Sequence, residues 1–219
     1  MRIACLHTID SNVPVFEAAR AALGLDIELS HQVRDDYLKD AERAGGLTAA
    51  IAARTAESLE ALGADADAVL LTCSTLGPSI AGVAEKIGKP VLRVDGALAE
   101  AAVRKGGRVV VLCAVETTIE PTRALFAAAA ASTGATIEMR LVPDAWPEFK
   151  AGRLERYFAL VAAAADRAAA EPGVAAVALA QASMAGAAQK CRLKPLTSPA
   201  VGLAAASAAA QGRKAPAAE

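Results

Sequence analysis

The sequence predicts an α/β protein made of two similar parallel-sheet, Rossmann-like halves. Short, continuous apolar runs such as residues 68–72 are typical of interior parallel strands, and a helix signal follows most of these runs. The strand–helix order then returns along the chain, at a shift that places Cys5 on Cys113. The residues are 54% hydrophobic but only 3% aromatic, and this alanine-rich composition is typical of closely packed helices rather than of a β-sandwich.

In the first half, strands are predicted at 2–7, 25–31, 68–72 and 90–94, with helices at 14–24, 48–62 and 78–88. Pro14 and Pro78 are suited to a first helical turn, and Thr48 to an N-cap. Gly24 and Gly88 favour helix ends. The charged segment between the second strand and Thr48 is predicted to be a loop.

In the second half, strands are predicted at 108–114, 136–142, 174–180 and near Leu196, with helices at 121–134, 153–170, from Ser183 and after Pro199. The predicted domains are 1–95, 96–196, and a C-terminal helix at 197–219 that returns to the first half, with a frayed tail from Gln211. We expect the halves to face each other about a pseudo-two-fold axis, with the active site in the cleft between them. Parallel sheets bind ligands at the carboxyl ends of their strands, which directs attention to 7–12, 73–77, 115–118 and 181–184.

Composition and charge exclude several function classes. A net charge of −1, with both signs spread along the chain, argues against nucleic acid or an anionic membrane as a partner. No apolar run approaches the length of a membrane span. Four cysteines without a CxxC pair argue against a disulfide framework or zinc site, and predict reduced thiols in the cytoplasm.

Cys73 differs from the other cysteines by its position. It directly follows a buried strand and precedes the helix predicted at Pro78, so backbone N–H groups and the helix dipole favour a thiolate there. A buried, inert thiol at a tight turn is the alternative that the spacing leaves open. Cys5 and Cys113 lie within strands and are interpreted as inert, and Cys191 as a bystander at a helix end.

The segment 71–78, Leu-Thr-Cys-Ser-Thr-Leu-Gly-Pro, resembles the first cysteine motif of the aspartate/glutamate racemase superfamily. Segments 31–48, 117–122 and 179–185 are also similar to members of that superfamily, which includes hydantoin racemases, maleate isomerase and arylmalonate decarboxylase. The resemblance implies two facing α/β domains, a small carboxylate substrate, and no metal or pyridoxal phosphate. It also implies proton transfer by two cysteines, one from each domain, and homodimerisation.

Carried over residue by residue, the resemblance makes Cys73 the first catalytic cysteine. It also implies a set of substrate-binding candidates: His7, Asn12, Ser74, Thr75, Thr117, Thr118, Gln181 and Ser183. Gln181 stands where the second cysteine is expected, and an amide cannot exchange a proton as a thiol does. Ser183 is a poor substitute without an adjacent base.

The predicted function is therefore a cofactor-independent racemase or isomerase acting at the α-carbon of a small carboxylate through a single cysteine. One alternative is a lyase similar to arylmalonate decarboxylase, and another is a non-catalytic protein that binds a small acid. A third, a Cys–His hydrolase, requires His7 or His31 within hydrogen-bond reach of Cys73. A structural role is open for His7 and favoured for His31, whereas Asp35 and Asp36 are interpreted as a solvated turn.

Overall fold

The computed structural model describes residues 1–212, so the predicted tail from residue 213 onward lies outside the described residues. The chain divides into two compact units, Met1–Ala97 with the chain from Pro199, and Leu98–Ser198. Each unit contains a four-stranded parallel sheet. The prediction of an α/β protein with two parallel-sheet domains is confirmed.

The first unit has its sheet in the order β2-β1-β3-β4. Its strands and helices are β1 (Arg2–His7), α1 (Asn12–Ala22), β2 (Glu28–Val33), α2 (Asp35–Ala44), α3 (Ala49–Gly63), β3 (Ala68–Leu71), α4 (Val83–Ile87), β4 (Val91–Arg93) and the start of α5 (Val94–Val103). Leu6 of β1 pairs with Leu71 of β3. The residues that follow these two strands are therefore neighbours at one edge of the sheet.

The second unit repeats this order as β6-β5-β7-β8. Its remaining elements are β5 (Arg108–Cys113), α6 (Ile119–Ala130), β6 (Thr136–Leu141), α7 (Ala145–Lys150), α8 (Leu154–Ala169), β7 (Val174–Leu179) and β8 (Leu196–Thr197), and α9 (Ser198–Ala210) follows. Leu112 of β5 pairs with Leu179 of β7, so the segments after these strands are again neighbours.

The central strand β5 is buried on both of its faces. Val110 and Leu112 pack with Tyr157 and Val161 of α8, whereas Val109 and Val111 lie in a second cluster with other apolar side chains. Burial on both sides explains why this strand reads as a continuous apolar run rather than as an alternating pattern. No helix in residues 1–212 has the length and apolarity needed to cross a membrane.

Local capping signals position several helices as predicted. The Thr48 side chain accepts a hydrogen bond from the Ile51 N–H at 3.3 Å, which caps α3. Gly88 ends α4 in the left-handed conformation, with φ of 65°.

The loop prediction for the charged segment after β2 was wrong, because this segment is helix α2. Asp35 lies in its first turn and forms an ion pair with Lys39, four residues later. The buried side chains Tyr37, Leu38 and Ala41 form the apolar side of the helix. Asp35 and Asp36 therefore begin a helix and do not form a solvated turn.

Two further differences concern helices. The helix expected from Pro78 to Gly88 is divided into a 3₁₀ turn, Gly77–Ile80, and α4, because Gly82 lies between them with φ of 76°. Trp146 lies in the unpredicted α7 and stacks on Phe149, with ring centroids 5.0 Å apart.

Candidate active site

Cys73 lies two residues beyond β3, at the edge where β1 and β3 end side by side. Its side chain is buried, with 9% of the residue surface exposed. Thr8, which follows β1, and the backbone N–H groups of Thr75 and Leu76 act on the Cys73 sulfur as hydrogen-bonding groups that lower the pKa of its thiol. Polar groups from two neighbouring loops therefore surround one sulfur atom.

Burial raises the pKa of the Cys73 thiol above its ordinary value, and the nearby Asp95 carboxylate acts in the same direction. The hydrogen bonds from Thr8, Leu76 and Thr75 lower the pKa but do not outweigh burial. The expectation that a helix dipole makes Cys73 a thiolate was therefore wrong, since only a four-residue 3₁₀ turn follows the loop. In the free protein, Cys73 is a neutral thiol with its stabilising donors already in place.

A buried ion pair supports the loop that carries Cys73. Arg93 Nε and Nη2 donate to the two carboxylate oxygens of Asp95 at 2.9 and 2.7 Å, and Asp95 is only 1% exposed. A methyl group added at Gly77 would lie 2.2 Å from Arg93 Cζ, so the guanidinium packs directly on the Gly77 backbone. This pair was not predicted from the sequence, although an arginine at the end of a predicted strand was a signal that could have indicated it.

The other predicted residues of the first unit lie in buried positions close to these strand ends. Ser74 and Thr75 follow Cys73 directly and are buried. Asn12 begins α1, and its side-chain Oδ1 is buried without a hydrogen-bond partner among the described residues. The Ser79 hydroxyl in the 3₁₀ turn is in the same situation. Because an unsatisfied buried acceptor is costly, Asn12 Oδ1 is a candidate ligand-binding atom.

His7 and His31 form a hydrogen-bonded pair away from the Cys73 sulfur. His7 Nδ1 lies 2.9 Å from Thr72 Oγ1, and His7 Nε2 lies 2.8 Å from His31 Nδ1. His31 Nε2 in turn lies 3.2 Å from a Glu17 carboxylate oxygen. All four ring nitrogens are thus engaged by groups other than Cys73, so the requirement of a Cys–His hydrolase is not met.

Burial, and then the neighbouring His31, lower the pKa of His7 to about 3. His7 is therefore neutral near neutral pH and cannot supply a proton to a substrate by changing its charge there.

In the second unit, Gln181 joins the ends of two neighbouring strands. Its Oε1 accepts a hydrogen bond from the Ala114 N–H at 2.6 Å, and its Nε2 donates to Thr118 Oγ1 at 2.9 Å. The Thr118 hydroxyl donates to the Val115 carbonyl at 2.5 Å. Both ends of the Gln181 amide are therefore used within its own unit.

Cys113 lies beside this amide but is not exposed to solvent. Burial raises the pKa of the Cys113 thiol to about 11, and this effect outweighs the opposite influence of the polar Thr118 and Gln181 side chains. Thr117, next to Thr118 in the 3₁₀ turn Glu116–Thr118, is partly exposed.

Ser183 is also engaged inside the second unit. Its hydroxyl lies 3.0 Å from the Tyr157 hydroxyl, and both residues are buried. Burial raises the pKa of Tyr157, so this phenol is a neutral partner and not a base for Ser183. Tyr157 had no signal in the sequence beyond an apolar helical position.

The comparisons with known proteins agree with this fold. A sequence model of a family described as Asp/Glu/Hydantoin racemase matches residues 6–210. An aspartate racemase homologue from Pyrococcus horikoshii OT3 has a similar structure, with a TM-score of 0.67 and 14% identity over 96% of this chain and 99% of that chain.

Two further solved structures are similar. For an allantoin racemase from Klebsiella pneumoniae the TM-score is 0.69, with 17% identity over 99% of this chain and 90% of that chain. For a glutamate racemase from Thermus thermophilus, in complex with β-chloro-D-alanine, it is 0.61, with 16% identity over 96% of this chain and 78% of that chain. No curated protein sequence matches the chain significantly.

Proposed function

The chain belongs to the Asp/Glu/Hydantoin racemase family, and from this premise we propose that it transfers a proton at the α-carbon of a small carboxylate through Cys73. The observation that carries the proposal is the position of Cys73 just beyond β3, buried at the edge where β1 and β3 end side by side, with the polar groups of Thr8, Thr75 and Leu76 around its sulfur. No metal or organic cofactor takes part in the proposed reaction. The cytoplasmic location and a homodimer stay predictions of the sequence.

The proposed role of Cys73 is that of a general acid. Its thiol is protonated in the free protein, so it can donate to the enediolate that is left at the α-carbon when a solvent base takes the α-proton, or when a C–C bond breaks and carbon dioxide departs. In this step the S–H bond breaks, a C–H bond forms, and the sulfur becomes a thiolate. Thr8, Thr75 and Leu76 then stabilise the new negative charge without having to reorganise.

Polar groups near Cys73 are the proposed substrate contacts in the first unit. The Ser74 and Thr75 hydroxyls are suited to a carboxylate, and Asn12 Oδ1 is an acceptor for a substrate N–H or O–H. A role for Thr117 in carboxylate binding stays a prediction. Thr118 and Gln181 are already hydrogen-bonded to each other, which makes them supporting rather than reacting groups.

The two hydrogen bonds that hold the Gln181 amide are a specific reason to consider a second candidate function. A racemase with two thiols removes the proton on one face and returns it on the other, and Gln181 offers no labile proton for that exchange. A decarboxylase needs only one acid, because loss of carbon dioxide creates the enediolate that Cys73 then protonates. That reaction gives one enantiomer from a prochiral diacid.

The proposal is tested by solvent deuterium incorporation. Amino acids, hydroxy acids, hydantoins and substituted malonates are incubated with the protein in D₂O, and α-deuteration and chirality are measured by NMR and chiral chromatography. We expect Cys73→Ala to reduce turnover by about 10³-fold or more, because the proton donor is removed. The matched control is Cys191→Ser, at a partly exposed thiol, which should keep full activity.

The products separate the candidate functions. Racemised, deuterated product indicates the racemase, whereas a single enantiomer from a malonate indicates the lyase. Undiminished turnover in Cys73→Ala would contradict the proposal. Tight binding of one acid without turnover would also contradict it, and would instead support a non-catalytic binding protein.

A further inference from the structure

A chain of hydrogen bonds connects a surface carboxylate to the strand end that carries Cys73. Glu17 on α1 contacts His31 on β2 at 3.2 Å, His31 contacts His7 on β1 at 2.8 Å, and His7 contacts Thr72 at 2.9 Å. Thr72 Oγ1 is also 3.1 Å from the Leu6 carbonyl. Glu17 is partly exposed, whereas His7 is fully buried.

The spacing of this chain fits a shared proton rather than a shared metal ion. Ligand atoms of Cys5, His7 and His31 lie within 4.8 Å of one another, so a metal site has to be considered. Two imidazole nitrogens bound to one tetrahedral zinc ion at about 2.0–2.1 Å are roughly 3.3 Å apart. The nitrogens of His7 and His31 are only 2.8 Å apart, which is the length of a hydrogen bond.

With both histidines neutral and Glu17 ionised, the count of hydrogens fixes one arrangement. The Glu17 carboxylate only accepts, so the hydrogen of His31 must lie on Nε2, and His31 Nδ1 accepts. His7 must then donate from Nε2, leaving its Nδ1 to accept from the Thr72 hydroxyl. Both rings are Nε2–H tautomers in this form.

One added proton reverses the arrangement. A protonated His31 donates from both nitrogens, to Glu17 and to His7 Nε2. His7 then carries its hydrogen on Nδ1 and donates it to Thr72. The Thr72 hydroxyl in turn donates to the Leu6 carbonyl, which lies within reach.

We propose that protonation of His31 switches His7 between its two neutral tautomers and turns the Thr72 hydroxyl from His7 to the Leu6 carbonyl. The charged and titratable groups around the pair are Glu17 and Arg20 on α1 and Cys5 on β1. Glu17 favours the proton on His31, and Arg20 shares that carboxylate at 2.8 Å. His7 stays uncharged throughout, in agreement with its pKa of about 3.

The switch ends beside the proposed acid. Thr72 immediately precedes Cys73, and Thr8, which hydrogen-bonds to the Cys73 sulfur, immediately follows His7. His7 and His31 are therefore positioning residues for Cys73. This second step rests on the proposed function, whereas the tautomer switch does not.

The NMR signals of the two imidazole rings can be assigned without overlap, because the sequence contains only two histidines. With ¹⁵N-labelled histidine, two-bond ¹H–¹⁵N correlation spectra report the tautomer and charge of each ring across a pH titration. We expect one ring to become charged while the other stays neutral and changes from Nε2–H to Nδ1–H over the same pH interval. A His7 that keeps one tautomer through that interval, or takes up the charge itself, would overturn the switch.

Variants sharpen the spectroscopic test. Glu17→Gln should move the pH interval of the switch toward acid, because the carboxylate that accepts from His31 Nε2 is removed. The matched control is Glu28→Gln on the same strand as His31, where the carboxylate pairs with Arg2, and we expect no movement. Equal movement in both variants would refute the role of Glu17. Ring signals typical of zinc-bound histidine that disappear in Cys5→Ser would indicate a metal site and would refute the switch.

The positioning role has its own readout, the pH profile of Cys73 alkylation followed by mass spectrometry. We expect an inflection at the His31 transition, with a change in rate of a few fold, and its loss in His31→Gln. A profile without that inflection, in protein whose spectra show the tautomer switch, would refute the positioning role alone. Neither experiment requires turnover, so their failure is distinguishable from failure of the proposed reaction.

Discussion

The ends of β3 and β7 occupy the same position in two sheets of identical strand order, yet their side chains are used differently. After β3, donors from Thr8, Thr75 and Leu76 converge on a thiol that carries a labile proton. After β7, Gln181 Oε1 accepts a hydrogen bond from the Ala114 N–H, and Gln181 Nε2 donates one to the Thr118 hydroxyl. The first strand end carries the candidate catalytic thiol, whereas at the second the Gln181 side chain links two neighbouring strands.

The comparison also shows why topology alone does not define an active site. The polar side chains of Thr118 and Gln181 lower the pKa of Cys113, much as the polar neighbours of Cys73 lower the pKa of that thiol. Cys113, however, lies in an apolar cluster with Val109 and Val111, directed away from any solvent. Cys73 keeps 9% of its surface exposed, whereas Cys113 is fully buried.

The largest expected effect concerns the donors at Cys73. Thr8→Val keeps the shape of a buried side chain but removes the hydroxyl that stabilises the thiolate, so turnover should fall about 10²–10³-fold. Thr8→Ser should restore most of the rate, since it restores the donor. Steady-state kinetics of both variants measure this, and equal rates for Thr8→Val and the unmodified protein would contradict the role of the donor.

The next largest effect concerns the ion pair beneath the Cys73 loop. Arg93→Met leaves the Asp95 carboxylate buried and unpaired, which should lower the free energy of unfolding by about 3–5 kcal/mol. The control is Arg123→Met, which breaks the exposed pair with Glu120 and should cost less than about 1 kcal/mol. Urea denaturation compares the two variants, and similar losses would show that the buried pair is not special.

A smaller effect is expected at the second strand end. Gln181→Ala removes the partner of the Ala114 N–H, and should lower the free energy of unfolding by about 1–3 kcal/mol. Turnover should change less than tenfold, since the amide moves no proton. The exposed Gln189→Ala is the matched control for stability. A loss of turnover comparable to that of Cys73→Ala would make Gln181 part of the chemistry.

A final effect, gradual rather than all-or-none, is a pH dependence carried by the first unit. The pKa of His7 is lowered from 6.5 to about 3 on folding, so the unfolded chain binds a proton that the folded chain does not. The contribution of His7 to stability is therefore complete above about pH 6.5 and is lost as the pH falls toward 3, by at most about 1.4 kcal/mol per pH unit. Urea denaturation at pH 7 and 5 should show a shallower dependence in His7→Phe, and an unchanged slope would contradict the assignment.

Strand ends and caps were predictable from the sequence because they depend on local patterns. The apolar run before Cys73 and the Thr48 cap of α3 are examples. The helix α2 was not predictable as such, because its charges hide a short apolar side formed by Tyr37 and Leu38. The high charge of the segment indicated a loop, but the packing of this apolar side stabilises a helix.

The sequence predicts a position for the candidate site but not its electrostatics. Cys73 and Gln181 were located by order along the chain. The pKa of Cys73 depends on burial, and the hydrogen bonds of Gln181 depend on the orientation of its amide. Neither property can be predicted from the spacing of residues along the sequence. The contact between His7 and His31 follows from the register of β1 with β2, which pairs Cys5 with His31.

The most direct test of the central claim is the pH dependence of Cys73 alkylation by iodoacetamide in the free protein. If Cys73 rests as a protonated acid held by three donors, its rate should rise with a midpoint above the ordinary thiol value of 9.0, and Thr8→Val should move that midpoint higher. A midpoint below that value, unchanged in Thr8→Val, would show a resting thiolate and contradict the account.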